Sequence, residues 1–197
     1  MPLVISLAAV FLLVIIFVTY LAQHYQWPAK PYTANQSTNQ ELDFPDFNTS
    51  DLSPLRFRIL TILKQEHDQP GAGTKYSEGV RELWCADFVS WVMREANVPL
   101  SNPNSGSWRI PGVATLQEYF ESQGQFGSLA SDYQPKPGDV VIYGAEGVHG
   151  QHTNFVVAVS GNEITTVGGN EGNQIRIQRF DSHDQKHAVI GFGVVEP

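Results

Sequence analysis

The stretch His152–Asn173, HTNFVVAVSGNEITTVGGNEGN, decides how this chain folds. Its first run, His152 to Ser160, is dominated by Val, Phe and Thr, which favour a pleated, half-buried backbone. Ser-Gly-Asn-Glu follows, with Gly161 and Asn162 suited to the two central positions of a tight turn, and Glu163–Val167 resumes the strand composition. The segment therefore predicts an antiparallel hairpin. A two-residue loop pairs Ser160 with Glu163 and sets His152 opposite Glu171; a three-residue loop pairs Val159 with Glu163 and sets His152 opposite Asn170. In either register the imidazole meets a facing side chain that can accept its N–H. Gly168 and Gly169 invite a bulge that shifts the register by one, so both partners stay open.

Three further short β-rich runs flank the hairpin, "DVVIY" (139–143), "IRIQRF" (175–180) and "AVIGFGVV" (188–195), all separated by connections too short for crossover helices. Upstream the pattern is helical. In "LSPLRFRILTILKQ" (52–65), Ser53 suits an N-cap and Pro54 the first helical position, and Leu55, Ile59, Ile62 and Leu63 recur at helical spacing. In "GVRELWCADFVSWVMREANVPL" (79–100), Trp84, Phe88, Trp91 and Val92 share one stripe and Pro99 marks the stop. The loop "SNPNSGSWRIP" (101–111) leads to a third helix, "VATLQEYFESQG" (113–124), ended by Gly124. Helices first and strands after predict an α+β domain, with the helices packed on one face of an antiparallel sheet of about five strands.

Before this domain lies Leu3–Ala22, a run of 20 uncharged residues. As a helix it spans about 30 Å, the thickness of a bilayer core. The run is longer than a typical signal-peptide core, no Lys or Arg precedes it, and Tyr20 spoils a small-residue cleavage site, so an uncleaved anchor over residues 1–22 is expected. Residues 23–50, rich in Pro, Asn, Gln, Thr and Ser, read as a flexible linker, and 51–197 as the folded domain. As a random coil, such a linker reaches roughly 30 Å. The net charge of −8 and the lack of any basic run argue against a nucleic-acid partner.

Cys85 is the only cysteine, so the chain has no internal disulfide. It falls near the start of the second helix, where unpaired N–H groups and the helix dipole stabilise a thiolate. A buried, inert thiol is the competing reading, and the histidines bear on the choice. His24 is juxtamembrane, His67 ends a helix, and His183 and His187 belong to a polar segment expected to face solvent. His149 lies in a loop between glycines, whereas His152 opens a strand, a rigid place from which to hold an imidazole.

A cysteine on a helix, followed by a histidine and an Asn or acid on adjacent strands, is the papain-like order. The segments "WCADFVSWVMREANV", "PKPGDVVIY", "HTNFVVAV" and "ITTVGGNEGN" together resemble the CHAP domain, the cysteine- and histidine-dependent amidohydrolase/peptidase family of the NlpC/P60 superfamily, over roughly Tyr76 to Val195. The resemblance implies Cys85 as nucleophile, His152 as general base and Asn170 as the orienting residue, with Glu171 as the alternative. It implies no cofactor. It also implies a peptidoglycan or peptide substrate, cleaved at the muramoyl–L-alanine amide or within the peptide; with the anchor expected over residues 1–22, that substrate makes the chain a single-pass membrane protein whose domain faces the wall. Relatives usually carry glycine before the histidine and a small or aliphatic pair after it; here the sequence is "GQHTNF", with Gln151 and Asn154 departing from that pattern. Some relatives hold calcium before the cysteine, but Glu78, Glu82 and Asp87 do not reproduce a calcium loop, and no metal is expected. Trp84 and Trp91 sit at core spacing, which leaves Trp108 as the candidate wall of a substrate groove. A non-catalytic wall-binding module, or an enzyme acting on a protein or lipid acyl group, are the alternatives.

Overall fold

The structure, a computed structural model, describes residues 42–47 and 49–196. The expected anchor and the linker up to residue 41 lie outside the described residues. Among those described, no helix is long and apolar enough to cross a membrane. Within the stretch that composition assigns to the linker, Phe44 and Phe47 pack edge-on with ring centroids 6.1 Å apart, and Phe47 lies 6.0 Å from Phe57. The packed body therefore reaches back to Phe44.

Helix α1, Pro54–Asp68, starts as its sequence requires: Ser53 is extended, its Oγ accepts from the Arg56 N–H at 3.2 Å, and Pro54 fills the first helical position. Ile59, Leu60 and Leu63 are its fully buried face. Because a capping hydroxyl satisfies an otherwise unpaired N–H, Ser53→Ala is expected to lower the unfolding free energy by about 1 kcal/mol, read from urea melts. A one-turn helix α2, Gly73–Tyr76, precedes α3, Cys85–Glu95. Helix α3 begins at Cys85 itself, six residues after the start of the segment read as helical and one after Trp84, the first residue of its apolar stripe. It ends where Asn97 takes a positive φ of 63° ahead of Pro99. Helix α4, Val113–Ser122, is followed by Gly124 with φ 66°.

Six strands follow, not the expected five: β1 Phe126–Ser128, β2 Val140–Tyr143, β3 His152–Ser160, β4 Glu163–Gly168, β5 Arg176–Asp181 and β6 Val189–Gly193. They form one antiparallel sheet in the order β1-β6-β2-β3-β4-β5. The extra strand, β1, is a three-residue edge that pairs Gly127 with Phe192. One face of the sheet packs Val140, Ile142, Phe155 and Val167 against Ile59, Leu63, Phe88, Val92 and Leu116 of the helices. Each such side chain contributes about 1.5–3 kcal/mol by leaving water. The other face gathers Val141, Tyr143, Val156, Ile164, Phe180 and Phe192, with Tyr133 packed against them.

Strands β3 and β4 join through the two-residue loop, with Ser160 opposite Glu163. The register then slips between Val156 and Ala158, so Val156 faces Thr166 and Phe155 faces Val167. The bulge lies at Val157 and not at Gly168 or Gly169. Helix α1 is tied to the sheet by a buried ion pair: Arg56 Nη2 lies 2.9 Å from Asp139 Oδ1, and Nη1 donates to the Pro137 carbonyl at 2.7 Å. Asp139 also accepts from the Tyr133 hydroxyl at 2.6 Å and from the Lys136 N–H at 2.8 Å. Every oxygen of this fully buried carboxylate is thus partnered, as burial of a charge demands.

Candidate active site

Cys85 is the first residue of α3, and the first helical hydrogen bond runs from the Phe88 N–H to the Trp84 carbonyl at 2.9 Å. The Cys85, Ala86 and Asp87 N–H groups are therefore outside the helix ladder, which puts the positive end of the dipole at the sulfur. Trp84 fixes this start. Its ring stacks on Tyr76 at 5.1 Å between centroids, and its Nε1 donates to Asn173 Oδ1 at 3.1 Å. Trp84 is core, as its spacing indicates, and Trp91 packs partly buried beside it.

His152 opens β3 opposite Tyr143. Glu171 Oε1 lies 3.6 Å from its Nε2, and the Cys85 side chain is close enough to act on the ring. That separation makes the carboxylate an ion-pair partner; Nε2 has no hydrogen-bond partner among the described residues. Burial alone pulls the imidazole's pKa down, but the Cys85 side chain and the Glu171 carboxylate outweigh it and raise it to about 10. The buried imidazole is thereby held as the imidazolium at neutral pH.

Of the two orienting candidates, Glu171 is the one brought to the imidazole. Asn170 adopts φ 63°, and the Glu171 N–H closes a turn onto the Gln174 carbonyl at 3.0 Å, which swings the next side chain back over the sheet. Asn170 is half-buried in that turn, and its side chain makes no hydrogen bond among the described residues. Glu171 is itself buried and doubly held: Asn154 Nδ2 donates to Oε1 at 2.7 Å, and Gln178 Nε2 donates to Oε2. Neither donor was legible as part of the site. Asn154 showed in the sequence only as a departure from the family pattern, and Gln178 reaches the site because β5 sets it opposite Thr166 of β4.

The other histidines divide differently from expectation. His183 is exposed, but His187 is buried, because a 3-10 turn at Gln185–His187 and a positive φ at Ala188 fold it onto Phe180, ring centroids 4.0 Å apart. His149 Nε2 lies 2.8 Å from His187 Nδ1, and its ring packs on Tyr143 at 4.5 Å. Burial lowers the His149 pKa to about 4, against the pull of Glu171. His149 is thus a neutral neighbour of the site.

Arg109 occupies the carboxylates weighed as metal ligands. It bonds Glu82 and sets its Nε 3.1 Å from Asp87 Oδ1, while Glu78 is exposed with φ 55°. Asp87 is fully buried, and burial, only partly opposed by Arg109, raises its pKa to about 7. Among the described residues no group of three or more His, Cys, Asp or Glu is arranged to hold a metal ion. Trp108 lies under Arg94, 4.1 Å from its guanidinium, nine residues and so about 13 Å along α3 from Cys85.

No curated protein matches the chain. Among solved structures, the crystal structure of Ly7917 is similar at 14% identity and a TM-score of 0.39, covering 55% of this chain and 51% of that one. That of Ly7917 with the hydrolyzing product of MDP is similar at 17% identity and a TM-score of 0.37, covering 55% and 52%. The chain spans about half the length of these proteins. The CHAP domain model matches residues 75–170, a span that includes both Cys85 and His152 and stops one residue short of Glu171. Residues 75–170 are therefore a CHAP domain, of the NlpC/P60-like cysteine peptidase and amidase group.

Proposed function

We propose that this protein is a membrane-anchored peptidoglycan hydrolase that cleaves an amide bond through Cys85, His152 and Glu171. The observation that carries the reading is the buried imidazole between a thiol at a helix N-terminus and a carboxylate. The Cys85 thiolate attacks the amide carbonyl, forming a C–S bond, and the imidazolium gives its proton to the departing amine as the C–N bond breaks. Water then attacks the thioacyl carbonyl, losing a proton to His152, and the C–S bond breaks to regenerate the thiolate. The Cys85 N–H, free of the helix ladder, is the donor for the oxyanion. Leu83, 77% exposed, and Val148, 50% exposed, are large apolar side chains within a few residues of Cys85 and His152, which suits contact with the methyl groups of a peptide substrate. The CHAP domain supports a peptidoglycan bond, and the uncharged run Leu3–Ala22 supports anchoring with the domain on the wall side.

The test is digestion of purified peptidoglycan by the full-length protein in detergent, with products read by mass spectrometry and Cys85→Ala as control. New amino termini at L-alanine identify an amidase, and new ends inside the peptide identify an endopeptidase. An intact polymer with both proteins would overturn the peptidoglycan reading.

A further inference from the structure

We infer that Asn154, the residue at which this chain departs from its relatives, is a positioning residue that holds the Glu171 carboxylate in place for His152. The inference rests on the Cys85–His152–Glu171 reading but not on the identity of the substrate. Residues two apart on a strand share a face, so Asn154 stands beside His152 on β3. Both reach the same carboxylate oxygen: Asn154 Nδ2 lies 2.7 Å and His152 Nε2 3.6 Å from Glu171 Oε1. Asn154 has no solvent exposure, and an amide buried there in place of an aliphatic side chain carries a desolvation cost that only its partners offset. Those partners are the site itself. Besides Glu171, Nδ2 lies 3.2 Å from Thr166 Oγ1 and 3.4 Å from the Tyr143 hydroxyl, two further fully buried groups.

A second mark of the arrangement is Gly168. A Cβ at that position would collide with Asn154 Oδ1 and come within 2.8 Å of Glu171 Oε1. The strand gives up a side chain, at some cost in propensity, to make room for the amide and the acid. Gln178 holds Oε2 from the other side. With both oxygens anchored, the buried carboxylate is held in one position, from which it acts on the His152 imidazole.

The groups facing Glu171 are His152, Asn154 and Gln178, with His149 and Tyr143, both neutral near pH 7, close enough to feel its charge, so a change at Asn154 reads out on the Cys85–His152 pair. The measurement is the rate of Cys85 alkylation by iodoacetamide against pH in the full-length protein, which needs no substrate. In Asn154→Val the acid limb of the alkylation profile is expected to move up by about one pH unit, or about tenfold in rate at fixed pH on the limb. In a Glu171→Gln background, Asn154→Val should change the profile no further. A merely structural amide would lower stability and leave the profile of Asn154→Val where it is in the unchanged protein, and that result overturns the inference. A shifted profile together with intact peptidoglycan would retain Asn154 and remove the proposed substrate.

Discussion

Replacing His152 with alanine is expected to lower amide hydrolysis by about 10,000-fold, because the imidazole both holds the thiolate at rest and protonates the leaving amine. Alkylation of Cys85 near neutrality should fall with it, so the loss is visible even before a substrate is in hand. The pH dependence has a definite sign. The imidazole's folded pKa, about 10, lies above its ordinary 6.5. The stability it contributes is therefore present in full below about pH 6.5 and lost as pH rises through about 10. The alkaline limb of kcat/KM should follow the same upward displacement. Glu171→Gln removes the carboxylate's share of that stabilisation and should bring the limb back toward neutrality, whereas Asn170→Ala, in the turn, should leave it in place. An alkaline limb unmoved by Glu171→Gln would show that the acid does not act on the imidazole.

The second large effect belongs to stability. In Arg56→Met the fully buried Asp139 carboxylate keeps the Tyr133 hydroxyl and its backbone donors but loses its counter-charge. Breaking one side of a buried pair costs about 3–5 kcal/mol, and at about 2–4 °C per kcal/mol in a domain of this size, Tm should drop by roughly 10 °C. Removing both charges, as Arg56→Met with Asp139→Leu, should cost less than the sum of the single changes, since no charge is then stranded. Thermal melts of the four proteins close the cycle. Strict additivity would mean that the two side chains are packed near one another without coupling.

How much of this was readable in advance varies residue by residue. The hairpin followed from "SGNE", with the two-residue turn as one of two open readings, because alternation and turn chemistry are local; the placing of Cys85 near a helix start and His152 at a strand start was local too. The carboxylate beside His152 depended on two things that no pattern encodes. The bulge sits at Val157, inside an unbroken apolar run, and Asn170 takes a left-handed turn that hands the site to its neighbour. Strand β1 was missed because three residues centred on a glycine carry no periodicity; only its pairing with β6 makes it a strand. His187 looked exposed because its segment is polar, yet one positive φ at Ala188 buries it against Phe180.

The strand order has a consequence for how the protein is made. The last strand in the chain, β6, is the second in the sheet, wedged between β1 and β2. Beyond it, the Val195 N–H reaches Asp139 at 3.4 Å, and Glu196 accepts from Ser53 at the head of α1. Until these final residues emerge, β2 has one bare edge and the strand bearing His152 has no finished sheet behind it. About 40 residues separate His152 from Gly193, so at about 5–20 residues per second the ribosome adds a delay of roughly 2–8 s. Cys85 and His152 are thus made seconds before the strand that completes the sheet behind them, and the pair is brought together only once residues 189–196 have followed.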